Sequence, residues 1–163
     1  MANLQEVYQY KNQIIKLLVN CDEIIKTINN LNIETADELI GNNIFKDLYI
    51  PDTQSEAKVY ICVGVYIPRI YDKLIKNVEL HIWIFSHQDI MNTDYGYTRV
   101  DYIQYQVDKL LNGNYNFGID SINLVTSRMF KPNTKFGGVE LIYDVPDINQ
   151  NRCDGFDKSQ RHN

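Results

Sequence analysis

Two stretches of the chain alternate apolar and polar residues with a period of two, which is typical of half-buried strands. From Lys58 to Ile67, valines and isoleucines recur on one side of the strand. The alternation resumes from Val78 to Phe85, and only the connection from Arg69 to Asn77 separates the two stretches. That connection is too short for a helical crossover between parallel strands, so the pattern predicts an antiparallel hairpin.

Two other segments repeat their apolar residues at the spacing of an amphipathic helix. The first runs from Asn3 to Leu31, and the polar cluster Asn20–Glu23 within it can end one helix and cap a second. We therefore expect two helices there; a sustained coiled coil is the alternative, but three clean heptads are missing. The second segment runs from Tyr97 to Leu111, and Asn112-Gly113 supplies a left-handed stop after it.

The rest of the pattern predicts two more strands, Ser121–Thr126 and Val139–Val145, with an arm from Ser127 to Gly138 between them. The element order α-α-β-β-α-β-β then predicts an α+β fold. We expect a mostly antiparallel four-stranded sheet with the N-terminal and central helices packed on one face.

Two stretches show no clear period. Residues from Asn32 to Glu56 contain at most one helical turn, and a loop of this length in a compact domain is often functional or ordered by a partner. The chain turns polar from Pro146 onward. We therefore expect one domain over residues 1–149 and a C-terminal tail over residues 150–163 that is flexible or ordered by a partner.

The composition of the 163-residue chain is that of an ordinary globular domain, with 44% hydrophobic and 23% charged residues. Its net charge of −5 argues against a surface that tracks phosphates, because nonspecific nucleic-acid binding needs clustered lysine and arginine. Twelve tyrosines are many for this length. We expect most of them to cover the core, although exposed tyrosines are common at protein interfaces.

The three cysteines are far apart and form no Cys-x-x-Cys pair, so neither a disulfide framework nor a zinc knuckle is expected. Cys21 and Cys62 fall in apolar patterns and should behave as small buried hydrophobes. The N-terminus has no signal-peptide pattern, and no apolar run approaches the roughly 18 residues of a membrane span. These features predict a protein that is made in the cytosol and does not enter a membrane.

One motif suggests catalysis. Pro51-Asp52 followed by Glu56-Ala57-Lys58 contains the residues of a PD-(D/E)xK nuclease, in which two carboxylates hold a divalent ion and a lysine lies near the attacking water. In such nucleases the carboxylates lie on neighbouring strands of a hairpin. Only three residues separate Asp52 from Glu56, too few for two strands and a turn, so the metal-nuclease hypothesis is disfavoured.

Two further clusters have both a chemical and a structural interpretation. His81 and His87 could bind a metal ion with a nearby aspartate, Asp89 or Asp94, but their spacing matches no standard ligand motif. A structural histidine beside aromatic residues is favoured. The start of the second amphipathic segment combines carboxylates with Arg99, and helix capping is favoured over catalysis there. We expect no enzymatic activity, no bound metal and no cofactor.

A group of stretches carries a further pattern across the chain. They are Tyr49–Thr53 with Glu56 and Tyr60, Leu80–Met91, Asp94–Asp101 running into Leu110–Gly113, Phe117-Gly118, and Leu141–Val145. Together these stretches, which lie in residues 10–149, resemble a family of small structural proteins from tailed bacteriophages of low-GC hosts. Members of that family are similar to tail-terminator and head–tail joining proteins.

The resemblance implies an α+β sandwich that assembles into a ring at the neck of a phage or phage-derived tail. It implies a non-enzymatic tail terminator, which caps the finished tail tube and presents a surface to the head connector. The expected partners are copies of the chain itself in a homo-oligomeric ring, taken as a hexamer, and the tail tube and head connector proteins. DNA is expected to pass through the lumen without specific binding, because an acidic lumen would not hold phosphates tightly. The expected location is the virion, after assembly in the host cytoplasm.

Contacts between identical ring subunits are heterologous, with one patch meeting a different patch. The candidate contact segments are the connection Arg69–Asn77, the arm Lys131–Gly137 and the tail after Pro146. The side chains that we assign to these contacts are Arg69, Tyr71, Lys73, Lys76, Arg128, Lys131, Lys135 and Arg152.

Two alternatives stay open beside the tail terminator. A head-side connector or adaptor ring would share the same fold and surface properties. A small inhibitor or binding module would also be acidic, compact and free of catalytic motifs, but it would bind a host protein one-to-one instead of forming a ring.

Overall fold

The computed structural model describes residues 4–71 and 75–148. The helices are α1 (Gln5–Val19), α2 (Asp22–Ile28) and α3 (Arg99–Leu111). The strands are β1 (Ile44–Phe45), β2 (Val59–Ile70), β3 (Ile75–His87), β4 (Asn123–Phe130) and β5 (Phe136–Ile148). Short 3-10 turns lie at Ala36–Leu39 and Gln88–Ile90.

The strands form one five-stranded sheet in the order β1-β2-β3-β5-β4. β1 runs parallel to β2, with Ile44 beside Ile61, and all other neighbours are antiparallel. The predicted α+β class is therefore confirmed, and so is the β2–β3 hairpin. The prediction of four strands was wrong by one, because β1 is only two residues long and has no period of its own.

The core lies between one face of the sheet and the helices. Val63 of β2 lies beside Ile82 of β3, which in turn lies beside Leu141 of β5, and all three are buried. α1 packs against β2, while α3 packs against β3 and β5. Burying side chains of this size stabilises the fold by roughly 1.5–3 kcal/mol each, before conformational entropy is counted. The placement of the helices on one face is as predicted.

Local signals position the helices. α1 and α2 meet at Asn20 and Cys21, so the predicted break is confirmed. α3 begins with a capping box, in which Thr98 and Asp101 each accept a hydrogen bond from the other's backbone N–H. Arg99 donates from Nη1 to the carbonyl of Thr27, 2.7 Å away, and so ties the start of α3 to the end of α2. These contacts support helix capping, and not catalysis, as the role of the carboxylates and Arg99 at the start of α3.

Three boundaries differ from the predicted ones, each because strand pairing extends beyond the apolar pattern. The hairpin strands reach Ile70 and begin again at Ile75, so the predicted connection Arg69–Asn77 is mostly strand. β4 and β5 shorten the predicted arm to residues 131–135. Residues 146–148 belong to β5 instead of to a tail. The predicted tail over residues 150–163 lies outside the described residues.

Candidate interaction surfaces

The face of the sheet away from the helices carries a second, aromatic cluster. Its buried members are Tyr60, Cys62, Trp83, Phe85 and Phe136. The chain after β1 covers this cluster, because Tyr49 stacks on Phe45 with ring centres 4.4 Å apart and Asn133 donates to the carbonyl of Pro51 at 2.9 Å. Burial raises the pKa of the Cys62 thiol to about 11, so this thiol stays protonated and packs as a small hydrophobe, as predicted. Cys21 is half-buried against the main core.

A polar network lies beside the aromatic cluster on the same face. His81 places Nδ1 2.8 Å from Oε1 of Glu140 and Nε2 3.1 Å from Oε2 of Glu79. Arg128 donates from Nε to Oε2 of Glu140 at 2.6 Å. Burial alone would raise the pKa of Glu140, but the hydrogen bonds from Arg128 and His81 outweigh it and hold that pKa below its ordinary value. The two glutamates contact opposite edges of one imidazole ring, so they do not converge on a common metal position.

The residues of the nuclease motif form local contacts with one another. Lys58 pairs with Glu56 at 3.1 Å, on side chains that are 30% and 77% exposed. The carboxylate of Asp52 accepts from the hydroxyl of Thr53 and the backbone N–H of Gln54, as in a polar turn. Within residues 4–71 and 75–148, no group of three His, Cys, Asp or Glu side chains is placed to hold a metal ion.

His87 also has a structural environment. Its ring lies edge-on to Phe136 with centres 5.0 Å apart, and Nδ1 accepts from the backbone N–H of Asp89 at 3.2 Å. His81 lies on the sheet face with Trp83, as the alternation predicts. The structural interpretation therefore fits both histidines better than a shared metal site does.

Three tyrosines, two of them before α3 and one within it, form a partly exposed stack that we call the tyrosine ladder. The ring of Tyr97 lies 6.1 Å from that of Tyr95 and 5.3 Å from that of Tyr102, with interplanar angles of 21° and 10°. Tyr102 donates from its hydroxyl to Glu23 on α2 at 2.9 Å, which fixes its ring and raises its pKa. Tyr95 is 79% exposed and Tyr97 is 42% exposed.

A polar cleft of about 390 Å³ runs along the ladder. Besides the tyrosines, its walls include Glu23, Lys26, Thr27, Asn92, Thr93, Asp94 and Arg99. Carboxylates and cations are both present, so the cleft offers no single charge to a ligand. Tyrosine side chains at the mouth of such a cleft are typical of protein interfaces.

A second exposed apolar surface lies at the far end of the hairpin, which we call the hairpin tip. It consists of Ile70, Tyr71, Ile75 and Ile148, which are 50%, 65%, 41% and 46% exposed. Ile75 and Ile148 are direct neighbours across β3 and β5. The hairpin tip contains the N-terminal end of β3, whereas the tyrosine ladder follows its C-terminal end. The two surfaces are therefore separated by the length of that strand.

β4 is the third exposed element and forms one edge of the sheet. Val125 and Met129 are 56% and 84% exposed, and the hydroxyl-bearing residues Thr126 and Ser127 between them are also accessible. A register shift between Leu124 and Thr126 marks a bulge near the start of the strand.

The predicted contact residues separate into three groups. Those that lie on the surface are Arg69, Tyr71, Arg128, Lys131 and Lys135. Lys73 and Arg152 lie outside the described residues. Lys76 is fully buried, so it is not available on the surface of the described protomer.

The burial of Lys76 has a clear physical cause. Lys76 is in phase with Val78 on the core face of β3, and its ammonium forms an ion pair with Glu6 of α1 and lies 3.7 Å from Asp147 of β5. Tyr10 donates to the same Asp147 at 2.5 Å, and burial together with this carboxylate raises the pKa of Tyr10. A buried ammonium is stable only with such partners. The alternation through Val78 was the signal that could have placed Lys76 inside.

The tyrosine ladder is the surface that the sequence prediction missed. Tyr95 and Tyr97 belong to a stretch that carried the family resemblance, yet nothing in their spacing predicted a stack with Tyr102. The available signal was the unusual number of tyrosines, of which Tyr95 and Tyr97 are exposed and Tyr102 is half-buried.

Comparison with known families gives one match. A family model described as YomW matches residues 11–145, which include every helix and strand except parts of α1 and β5. No curated protein matches the chain. Among the described residues, none of the helices is long and apolar enough to cross a bilayer.

Proposed function

The chain belongs to the YomW family, and from this premise we propose that it is a non-enzymatic structural subunit of a phage head–tail junction. In this proposal, copies of the chain assemble into a ring that caps the tail tube and joins it to the head connector, as a tail terminator does. The proposal is supported by the resemblance of stretches such as Tyr49–Thr53 and Asp94–Asp101 to neck proteins of tailed phages.

The observation that supports ring formation most strongly is the presence of two unlike exposed surfaces on one protomer. The tyrosine ladder is aromatic and lies beside a polar cleft, whereas the hairpin tip is mainly aliphatic. A ring needs a heterologous contact, in which one surface of each subunit meets a different surface of the next. Surfaces of this kind, at opposite ends of β3, meet that requirement.

The arrangement of the polar residues also supports a structural role. On the face of the sheet away from the three helices, Glu79, His81, Arg128 and Glu140 bind one another. Lys76, Glu6 and Asp147 form a second paired cluster beneath α1. Paired groups of this kind stabilise and orient the strands that present the surfaces, and the proposal assigns them no chemical step.

The net charge of −5 is consistent with a channel for DNA. In the proposed ring, DNA passes through the lumen without specific binding, because an acidic surface repels phosphates. The proposed location is the neck of the virion.

Light scattering and negative-stain imaging of the purified protein test the proposal. We expect closed rings, and decoration of tail-tube ends when purified tubes are added. A ring that binds the head connector but leaves tube ends bare would favour the head-side adaptor. A protein that stays monomeric and binds one host protein one-to-one would contradict the proposal and favour the inhibitor.

A further inference from the structure

We propose that the outer edge of β4 pairs with β4 of a second copy, so that two sheets join into one across a two-fold axis. The surface is a strand edge, and the partner is the same edge of another copy of this chain. This contact goes beyond the proposed ring, because a two-fold contact closes on two copies and cannot by itself propagate around a ring.

The edge of β4 is open from Thr126 to Phe130, whereas before it a bulge interrupts the strand and the N–H of Leu124 donates to Oδ1 of Asn112 at 3.3 Å. Among residues 4–71 and 75–148, no strand pairs with its outer side. An edge strand turns the N–H and C=O groups of every second residue away from its neighbour, and those groups form a template for another strand. β4 spans Asn123–Phe130 and contains neither proline nor lysine, the residues that commonly protect an edge.

Among the described residues, the opposite edge of the sheet offers little open strand, because β1 is only two residues long and its Ile44 is fully buried; β4 of a second copy is then the matching surface. β1 pairs with β2 at Ile61 and Cys62. Val63 is fully buried and Val65 is 3% exposed, so the outer side of β2 is covered beyond β1 as well. Farther along β2, Pro68 lacks a backbone N–H and the register shifts around it, which interrupts any regular ladder.

The side chains restrict the register of the paired strands. Residues on one sheet face must lie opposite residues on the same face, so the axis can pass through Ser127, Arg128 or Met129. An axis through Arg128 would oppose two like charges, which is destabilising. An axis through Met129 instead places Arg128 opposite Phe130 of the second copy, and one through Ser127 places Arg128 opposite Thr126 of the second copy.

Pairing would also remove exposed apolar surface from water. Met129 is 84% exposed on the face that carries the helices, and Val125 is 56% exposed nearby. With the axis through Met129, the two Met129 side chains lie opposite each other, and with the axis through Ser127, Met129 lies opposite Val125 of the second copy. Burial of apolar surface adds to the hydrogen bonds of the new ladder.

Cysteine cross-linking tests the two-fold contact. Ser127→Cys and Met129→Cys are made separately in a chain that also has Cys21→Ser and Cys153→Ser, and Tyr115→Cys is the control on an exposed residue of another loop. After mild oxidation we expect a disulfide-linked dimer from one of the two variants, because the axis brings Ser127 or Met129 opposite its own copy, whereas the copies of the other residue lie four positions apart along the strands. The Tyr115→Cys protein should stay as single chains on a non-reducing denaturing gel.

A charge on the edge provides a second measurement. Met129→Lys should weaken dimerisation at least tenfold in sedimentation experiments. Ile119→Lys is the control, because Ile119 is 52% exposed but lies away from β4, and it should leave dimerisation unchanged. Failure of both cysteine variants to cross-link, with no effect of Met129→Lys, would overturn the edge contact. If rings form but no disulfide forms, the proposed function stands and the edge contact fails. If disulfide dimers form but never assemble into rings, the edge contact stands and the proposed function fails.

Discussion

Arg128 on β4 lies directly opposite Glu140 on β5 and donates a hydrogen bond of 2.6 Å to its carboxylate. The side chain of Arg128 is 61% exposed, whereas that of Glu140 is only 7% exposed. The pair therefore joins a surface residue of the open edge strand to a buried carboxylate of the sheet. His81 on β3 contacts the same carboxylate, so one glutamate links three adjacent strands.

This linkage predicts a pH dependence of stability. Because the pKa of Glu140 in the folded protein lies below its ordinary value of 4.5, its charge stabilises the fold above that value. The contribution is lost as the pH falls through the lowered pKa. Glu140→Gln should therefore reduce the free energy of unfolding near neutral pH by about 1–3 kcal/mol.

Urea unfolding across the acidic range measures this effect. The difference between the wild type and Glu140→Gln should shrink as the pH falls below about 4.5. Glu34→Gln, at an exposed residue, is the control and should produce no such convergence. If the loss in the free energy of unfolding caused by Glu140→Gln stays constant from neutral to acidic pH, the charge of Glu140 is not the source of that stability.

The buried ammonium of Lys76 gives the second prediction. Lys76→Met keeps much of the side-chain volume but leaves Glu6 and Asp147 without their cation, so we expect a loss of about 3–5 kcal/mol in the free energy of unfolding. Lys135→Met, at an exposed lysine, should change it by less than about 0.5 kcal/mol. Equal stability of the two variants would contradict the inferred role of Lys76.

Two adjacent glycines of β5 give a matched pair of substitutions. A methyl group on Gly138 would lie 1.9 Å from the carbonyl oxygen of Ile84 on β3, whereas one on Gly137 would meet nothing within 4 Å. Gly138→Ala should therefore lower the free energy of unfolding by about 1–3 kcal/mol or more, because the backbone must move. Gly137→Ala should leave it nearly unchanged. Thermal unfolding of the two variants checks this, and similar melting temperatures would contradict the close approach of β3 and β5.

The tyrosine ladder gives a prediction about assembly. Tyr97 is the middle ring of the stack, so Tyr97→Ala should raise the protein concentration needed for ring formation at least tenfold, which corresponds to about 1.4 kcal/mol. Tyr115→Ala removes a tyrosine that is 75% exposed elsewhere and should leave assembly unchanged. If both variants assemble like the wild type, the ladder is not a ring contact.

The parts of the fold that could be predicted are those with a long, regular pattern. The β2–β3 hairpin and the amphipathic helix α3 each repeat a period over many residues, and the break at Asn20 was signalled by a cluster of polar residues inside a helical pattern. β1 is too short to show one. The strands were predicted too short because residues such as Lys76 and Asp147 break the apolar pattern while still pairing across the sheet.

The surfaces were harder to predict because they depend on contacts between distant residues. Lys76 was predicted to be an exposed charge, because its partner Glu6 lies some seventy positions earlier in the chain and only the fold brings the two side chains together. Tyr102 joins the ladder through Glu23 on another helix. The exposure of Arg69 and Tyr71 could be predicted from the sequence, because a hairpin connection is exposed in almost any α+β fold.

The mass of the purified protein as a function of concentration tests the central proposal most directly. Light scattering should give a particle whose mass is a whole multiple of 19.1 kDa and higher than that of a dimer, and negative-stain images of the same sample should show closed rings. A particle of 19.1 kDa at every concentration, with no ring in any image, would contradict it.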